Sequence, residues 1–149
     1  MKPIVTWVLV TNGGQARILE NAGPGKGLSP LKGLAFEDAH LKAQDIVTDR
    51  PGRSFSSVGS GRSAMEPKTN PVEQREAEFV KAVASVLDTK RSEGAYDRLI
   101  IAAAPTALGD LRPALSEPVR KSIMAELPKD LTNTPTADLP RHFDGLLAL

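Results

Sequence analysis

The chain reads as an α/β domain built on a mixed five-stranded sheet, and three observations point there. Ile4–Val10 and Arg98–Ala104 are almost continuously apolar runs, which suits strands buried on both faces. Asn12-Gly13, directly after the first run, signals a tight hairpin because both residues tolerate positive φ, and this gives the first strand an antiparallel neighbour. A long amphipathic helix between the two runs provides the right-handed crossover that parallel strands need. The first strand is then central. The expected strand order is 3-2-1-4-5, with strand 2 antiparallel and helices on both faces.

Taken in order, Ala16–Glu20 returns from the hairpin as the second strand, with Arg17 and Glu20 making it less buried than the first. Gly23-Pro24-Gly25 and Gly27 mark residues 21–33 as loop, and Leu34–Glu37 forms a short third strand. Residues 39–47 are a short helix or irregular. Asp49–Pro67 follows, rich in Gly, Ser and Arg and without apolar periodicity. Connections of this length tend to be functional or disordered.

Asn70-Pro71-Val72-Glu73 opens the main helix: Asn70 caps, Pro71 takes the first helical position and Glu73 completes a capping box. Val72, Phe79, Val80, Val83, Val86 and Leu87 recur at three-and-four spacing on one face, while Arg75, Glu78, Lys81 and Asp88 face water. Gly94 is the left-handed cap. After the second buried strand, helices are expected over 107–115, broken at Pro113, and over 117–125, with Val119, Ile123 and Met124 inward. Residues 126–132 form an edge strand, where Pro128 is tolerated. Thr136–Leu149 reads as a terminal amphipathic helix with Leu139, Phe143, Leu146 and Leu147 as its stripe.

Composition limits the function. The 149 residues suit one domain spanning 1–149. There is no cysteine and there are two histidines, His40 and His142, far apart in sequence. A thiolate site is therefore excluded, and neither a metal nor another cofactor is expected. Nineteen basic residues against eighteen acidic argue against nucleic-acid binding by bulk charge, though not against a local basic patch. The first apolar run is cut short at Asn12-Gly13-Gly14 and no stretch reaches the roughly 18 apolar residues of a membrane span, so the expectation is a cytoplasmic protein with no membrane partner.

Three groups of residues could carry chemistry. Gly13-Gly14-Gln15 matches the catalytic tripeptide of peptide release factors, but a tight hairpin accounts for its glycines. Glu66, Asp97, Asp110 and Asp130 could hold magnesium only if they converged; Asp97 reads instead as a strand-entry cap and Lys129-Asp130 as surface charge. The third group is the 49–67 stretch. Arg50 and Arg53 flank a Pro-Gly turn, and Gly59, Gly61, Arg62 and Ser63 add a guanidinium and flexible backbone amides, a combination suited to phosphate or another anion. The bland alternative is a solvated loop whose Arg50 and Arg53 pair with Asp49, Glu66 or the sheet edge.

Several segments together carry a family resemblance: Trp7-Val8-Leu9-Val10, Ala16-Arg17-Ile18-Leu19-Glu20-Asn21, Asp49-Arg50-Pro51-Gly52-Arg53-Ser54-Phe55, Ala64-Met65-Glu66-Pro67, Tyr96-Asp97-Arg98-Leu99, Ala104-Pro105, Leu108-Gly109 and Lys129-Asp130-Leu131-Thr132. In this order they resemble the bacterial host attachment proteins, described as required for attachment to host cells. That family looks like a relative of the middle domain of archaeal and eukaryotic release factors and of Pelota, which implies an RNase H-like sheet.

In release factors the catalytic tripeptide lies in the long loop between the third strand and the long helix. Here that loop is Asp49–Pro67, and it contains no glutamine. Family members often carry a histidine before Ala64 and another after Thr132; Ser63 and Asn133 stand there instead. The resemblance therefore implies a release-factor-like module that binds RNA, the ribosome, a tRNA or another anionic ligand through Arg50, Arg53, Gly59, Gly61, Arg62 and Ser63, and leans away from an enzyme. The alternatives are a peptidyl-tRNA or nucleic-acid hydrolase using the same loop, and an interaction protein that contributes indirectly to attachment.

Overall fold

Thr6–Thr11 form β1, and all six residues are buried because strands flank β1 on both sides and side chains cover both of its faces. The structure, a computed structural model, describes residues 4–38 and 71–146. β1 pairs antiparallel with β2 (Gln15–Asn21), which pairs antiparallel with β3 (Ser29–Glu37). On its other side β1 runs parallel to β4 (Arg98–Ala103), which runs parallel to β5 (Ile123–Leu127). The sheet order is β3-β2-β1-β4-β5, as the apolar runs and the hairpin imply.

The crossover is α1 (Pro71–Ser92); α2 (Pro105–Ala114) and α3 (Glu117–Ser122) lie between β4 and β5. One core joins Trp7, Leu9, Ile18, Leu99 and Ile101 of the sheet to Val80, Val83, Leu87, Leu108, Leu111 and Val119 of the three helices. Alternate residues Val8, Val10, Leu19, Ile100 and Ala102 face the other way, against Leu131, Leu139 and Phe143. α1 ends as its sequence suggests. Gly94 has φ 77°, its N–H donates to Arg91 O and the Ala95 N–H donates to Lys90 O, which together make a Schellman cap.

Several expectations need correction. Among the described residues all three α-helices pack on one face of the sheet; the second face is covered by the one-turn 3₁₀ helices Thr136–Asp138 and Pro140–Phe143. Pro140 explains the missing terminal α-helix, since it has no N–H and its ring would clash in a helix interior. Leu139 and Phe143 are still fully buried, whereas Leu146 is exposed.

β3 begins at Ser29, not Leu34, and passes through Gly33 at φ 79° beside an irregularity in its pairing with β2. β5 begins at Ile123, which ends α3 early and leaves Met124 exposed and Pro128 just beyond the strand. Val72 is exposed because the first turn of α1 extends past the core. The expectations for residues 39–47, Asn70 and Asp49–Pro67 lie outside the described residues.

Candidate functional site

Parallel pairing brings the carboxyl ends of β1 and β4 out on the same side of the sheet, with the β1–β2 turn beside the start of α2. The turn is built by Asn12. Its N–H donates to Gln15 O at 2.9 Å, and its side-chain Oδ1 accepts from the N–H groups of Gly14 (2.8 Å) and Gln15 (2.9 Å). This arrangement does without the positive φ expected from Asn-Gly, since neither Asn12, Gly13 nor Gly14 adopts it. Gly13 is needed for a different reason: a Cβ there would sit 2.7 Å from Glu76 Cγ and 2.9 Å from Glu76 Cβ, so α1 lies directly over the turn.

The other end of the Asn12 amide reaches across the sheet. Nδ2 donates to Asp130 Oδ2 at 3.0 Å and to Thr132 Oγ1 at 3.2 Å. Asp130 Oδ1 in turn accepts from the Thr132 hydroxyl (2.6 Å) and the Thr132 N–H (3.0 Å). Burial would raise the Asp130 carboxyl, but the hydrogen bonds from Thr132 and Asn12 together hold it below its ordinary value. Asp130 is therefore a fixed anion, tying the segment after β5 to the central hairpin.

These residues border a cleft of about 350 Å³ lined by Asn12, Gly13, Gly14, Glu76, Thr106, Asp110 and Asp130, with Ala104 and Ala107. Thr106 and Ala107 lie in the first turn of α2, where an α-helix leaves N–H groups without intrahelical acceptors. Ala104 supplies no side-chain cap there. The cleft thus combines backbone amides at a helix start with three carboxylates.

The structure divides the sequence candidates. Gly13 and Gly14 form the cleft wall, and Asp110 and Asp130 line it. Asp97 lies at the opposite, amino end of the parallel strands, where its Oδ2 accepts from the Val5 N–H at 2.9 Å, the strand-entry role expected of it. Among the described residues no group of three or more His, Asp or Glu is placed to hold a metal. Trp7 is buried in the core, its ring stacked on Tyr96 with centroids 4.7 Å apart. His142 is half-buried beside Phe143 in the last 3₁₀ helix.

Arg50, Arg53, Gly59, Gly61, Arg62, Ser63 and Glu66 lie outside the described residues. The described residues on either side of the segment that carries them are Asp38 and Pro71. Before it, the Asp38 N–H donates to Gly14 O at 2.9 Å; after it, α1 starts at Pro71 and reaches the turn at Glu76. The sequence reading missed Asn12, Thr132 and the bonded role of Asp130. The Asn12-Gly13 pair marks the turn, but a side-chain partner 118 residues away leaves no local signal.

Among the described residues no helix is long and apolar enough to cross a membrane. Solved structures similar to the chain include the following two. One is a non-polymerisable quadruple mutant of pCBH ParM, at 8% identity and TM-score 0.48 over 96% of this chain. The other is the type II variant of the Aquifex aeolicus Ppx/GppA phosphatase, at 12% identity and TM-score 0.36 over 83% of it. The chain spans 48% of the first and 35% of the second. No curated protein matches it in sequence. The family described as protein required for attachment to host cells matches residues 7–143, nearly the whole chain, and the protein belongs to that family.

Proposed function

We propose that this host attachment protein is a release-factor-like binding module for a phosphate-bearing ligand, with RNA in a ribosome or tRNA as its first candidate. The observation that supports this reading is that Asp38, the last described residue before 39–70, donates its N–H to Gly14 O of the turn, and that α1, the first described element after it, passes over the turn at Glu76. Among the described residues no basic side chain lines the cleft, whose titratable groups are Glu76, Asp110 and Asp130. A phosphate there needs cations from outside that lining. In the sequence between Asp38 and α1, Arg50, Arg53 and Arg62 supply three guanidiniums, and Gly59, Gly61 and Ser63 add backbone amides.

Binding is favoured over catalysis. The 49–67 stretch has no glutamine, and Gly13-Gly14-Gln15 is committed to the hairpin by Asn12. Asp130, held below its ordinary value, is a weak general base at neutral pH.

The test is titration of a labelled single-stranded RNA at two salt concentrations. Three phosphate contacts correspond to a log–log salt slope of about −2 for a single strand, or about a twentyfold loss of affinity between roughly 50 and 200 mM salt. Arg53→Ala with Arg62→Ala should reduce that slope to about −0.7. Binding indifferent to both substitutions would remove the proposal.

A further inference from the structure

The two edges of the sheet are guarded differently. β3 carries Pro30, Lys32 and the Gly33 kink, devices that discourage another strand from pairing. β5, Ile-Met-Ala-Glu-Leu, contains neither Pro nor Lys, and no described strand pairs with its outer side. Its one irregularity is at Met124, the residue skipped where the register passes from Leu99–Ile123 to Ile100–Ala125; that side chain is 39% exposed.

Beside this edge lies a groove of about 590 Å³ lined by Pro113, Leu115, Ile123, Arg112, Arg120 and Glu126. Its floor is apolar, with Leu115 buried and Ile123 half-buried. Its charges are unequal. Arg112 Nη2 pairs with Glu126 Oε1 at 2.8 Å. Arg120 makes no ion pair among the described residues; one of its Nη atoms donates to the carbonyls of Arg112 (3.1 Å) and Pro113 (3.5 Å). The Arg112 side chain is 59% exposed, so solvent weakens its pair with Glu126 and a competing carboxylate can displace it.

We propose that this groove and the outer side of β5 form a docking site for an extended acidic peptide of a partner protein. Its backbone would pair with β5, an apolar side chain would lie over Leu115 and Ile123, and a carboxylate would meet Arg120 and Arg112. The choice of occupant rests on charge: one guanidinium in excess over an apolar floor fits a carboxylate next to an aliphatic side chain. This site lies apart from the cleft and does not depend on the RNA reading.

A fluorescein-labelled peptide of alternating valine and glutamate, titrated into the full chain and followed by anisotropy, tests it; the control peptide has lysine at every glutamate. Saturable binding of the acidic peptide alone is expected, weakened at least tenfold by Arg120→Glu. Glu126→Gln, which removes the internal competitor for Arg112, should tighten binding severalfold. Arg120 is exposed and Glu126 half-buried, and unchanged thermal unfolding of each variant would confirm that the fold is intact. No binding by the wild type, equal binding of the lysine peptide or indifference to Arg120→Glu would overturn the proposal. So would sedimentation showing a dimer that excludes the peptide, since the occupant would then be a second copy.

Discussion

The two ends of the parallel strands make opposite use of their polar groups. At the amino end the polar atoms close on the fold itself. Asp97 Oδ2 takes the Val5 N–H, and the N–H groups of Asp97 and Arg98 return to Val5 O at 2.8 and 3.1 Å. Tyr96, fully buried, stacks on Trp7 and donates its hydroxyl to Leu87 O at 2.8 Å, while Arg91 bonds Ser122 Oγ and the Tyr96 carbonyl. At the carboxyl end one side chain, Asn12, holds the turn and Asp130 together beside an open cleft into which a helix start projects. The amino end is organised for stability. The carboxyl end spends residues on holding a concave polar surface in place, which is where open α/β sheets place ligands.

The largest effect is expected at the amino end. Tyr96→Ala removes the stack on Trp7 and a buried hydroxyl together, and should cost about 3–5 kcal/mol in urea unfolding. The same residue predicts an alkaline limit. Burial is the main cause that pushes the phenol up to about 12, with Asp88 adding and Arg91 opposing. A folded value above the unfolded one means its contribution is complete below about pH 10 and is lost as pH rises toward 12. Tyr96→Phe should remove that alkaline slope, as measured by urea midpoints across the range.

The next effect is at the turn. Gly13→Ala forces a Cβ against Glu76 and should cost about 1–3 kcal/mol. Glu76→Ala in the same chain should recover part of the loss, since Cγ and Cδ are removed while Cβ stays. No recovery in the double variant would mean that the turn, and not α1, demands glycine.

The smallest is at the Asn12 bridge. Asn12→Ala deletes the amide that serves both Gly14 and Asp130 and should cost about 1–2 kcal/mol. Asp130 lies below its ordinary value when folded, so its contribution is present above about pH 4 and fades as pH falls through the folded value. Loss of the Asn12 bond raises that value, so acid unfolding of the variant should begin at slightly higher pH than in the wild type.

What could be read in advance follows the range of the interactions involved. β1 and β4 announce themselves because burial on both faces removes any need for alternation, and α1 because its capping residues and apolar stripe are local. The strand order then follows from one hairpin and one crossover. The terminal segment misleads because Leu139, Phe143 and Leu146 keep helical spacing, and the backbone limit set by Pro140 decides against a helix. β3 is longer than its punctuation suggests because Gly33 is used inside the strand, at positive φ, and does not end it. At the site, the glycine turn was legible and its physical reason was not. The close approach of Glu76 and the bonds to Asp130 and Thr132 join residues more than sixty positions apart, and no local pattern encodes them.

The most direct test of the claim that the carboxyl end holds a phosphate-bearing ligand is co-sedimentation with ribosomes at low salt, comparing the wild type with Arg53→Ala/Arg62→Ala and with Tyr96→Phe. The account predicts that the wild type and Tyr96→Phe pellet with ribosomes and that the double arginine variant stays in the supernatant. Wild-type protein free in every fraction, or an arginine variant that pellets as well as the wild type, would contradict it.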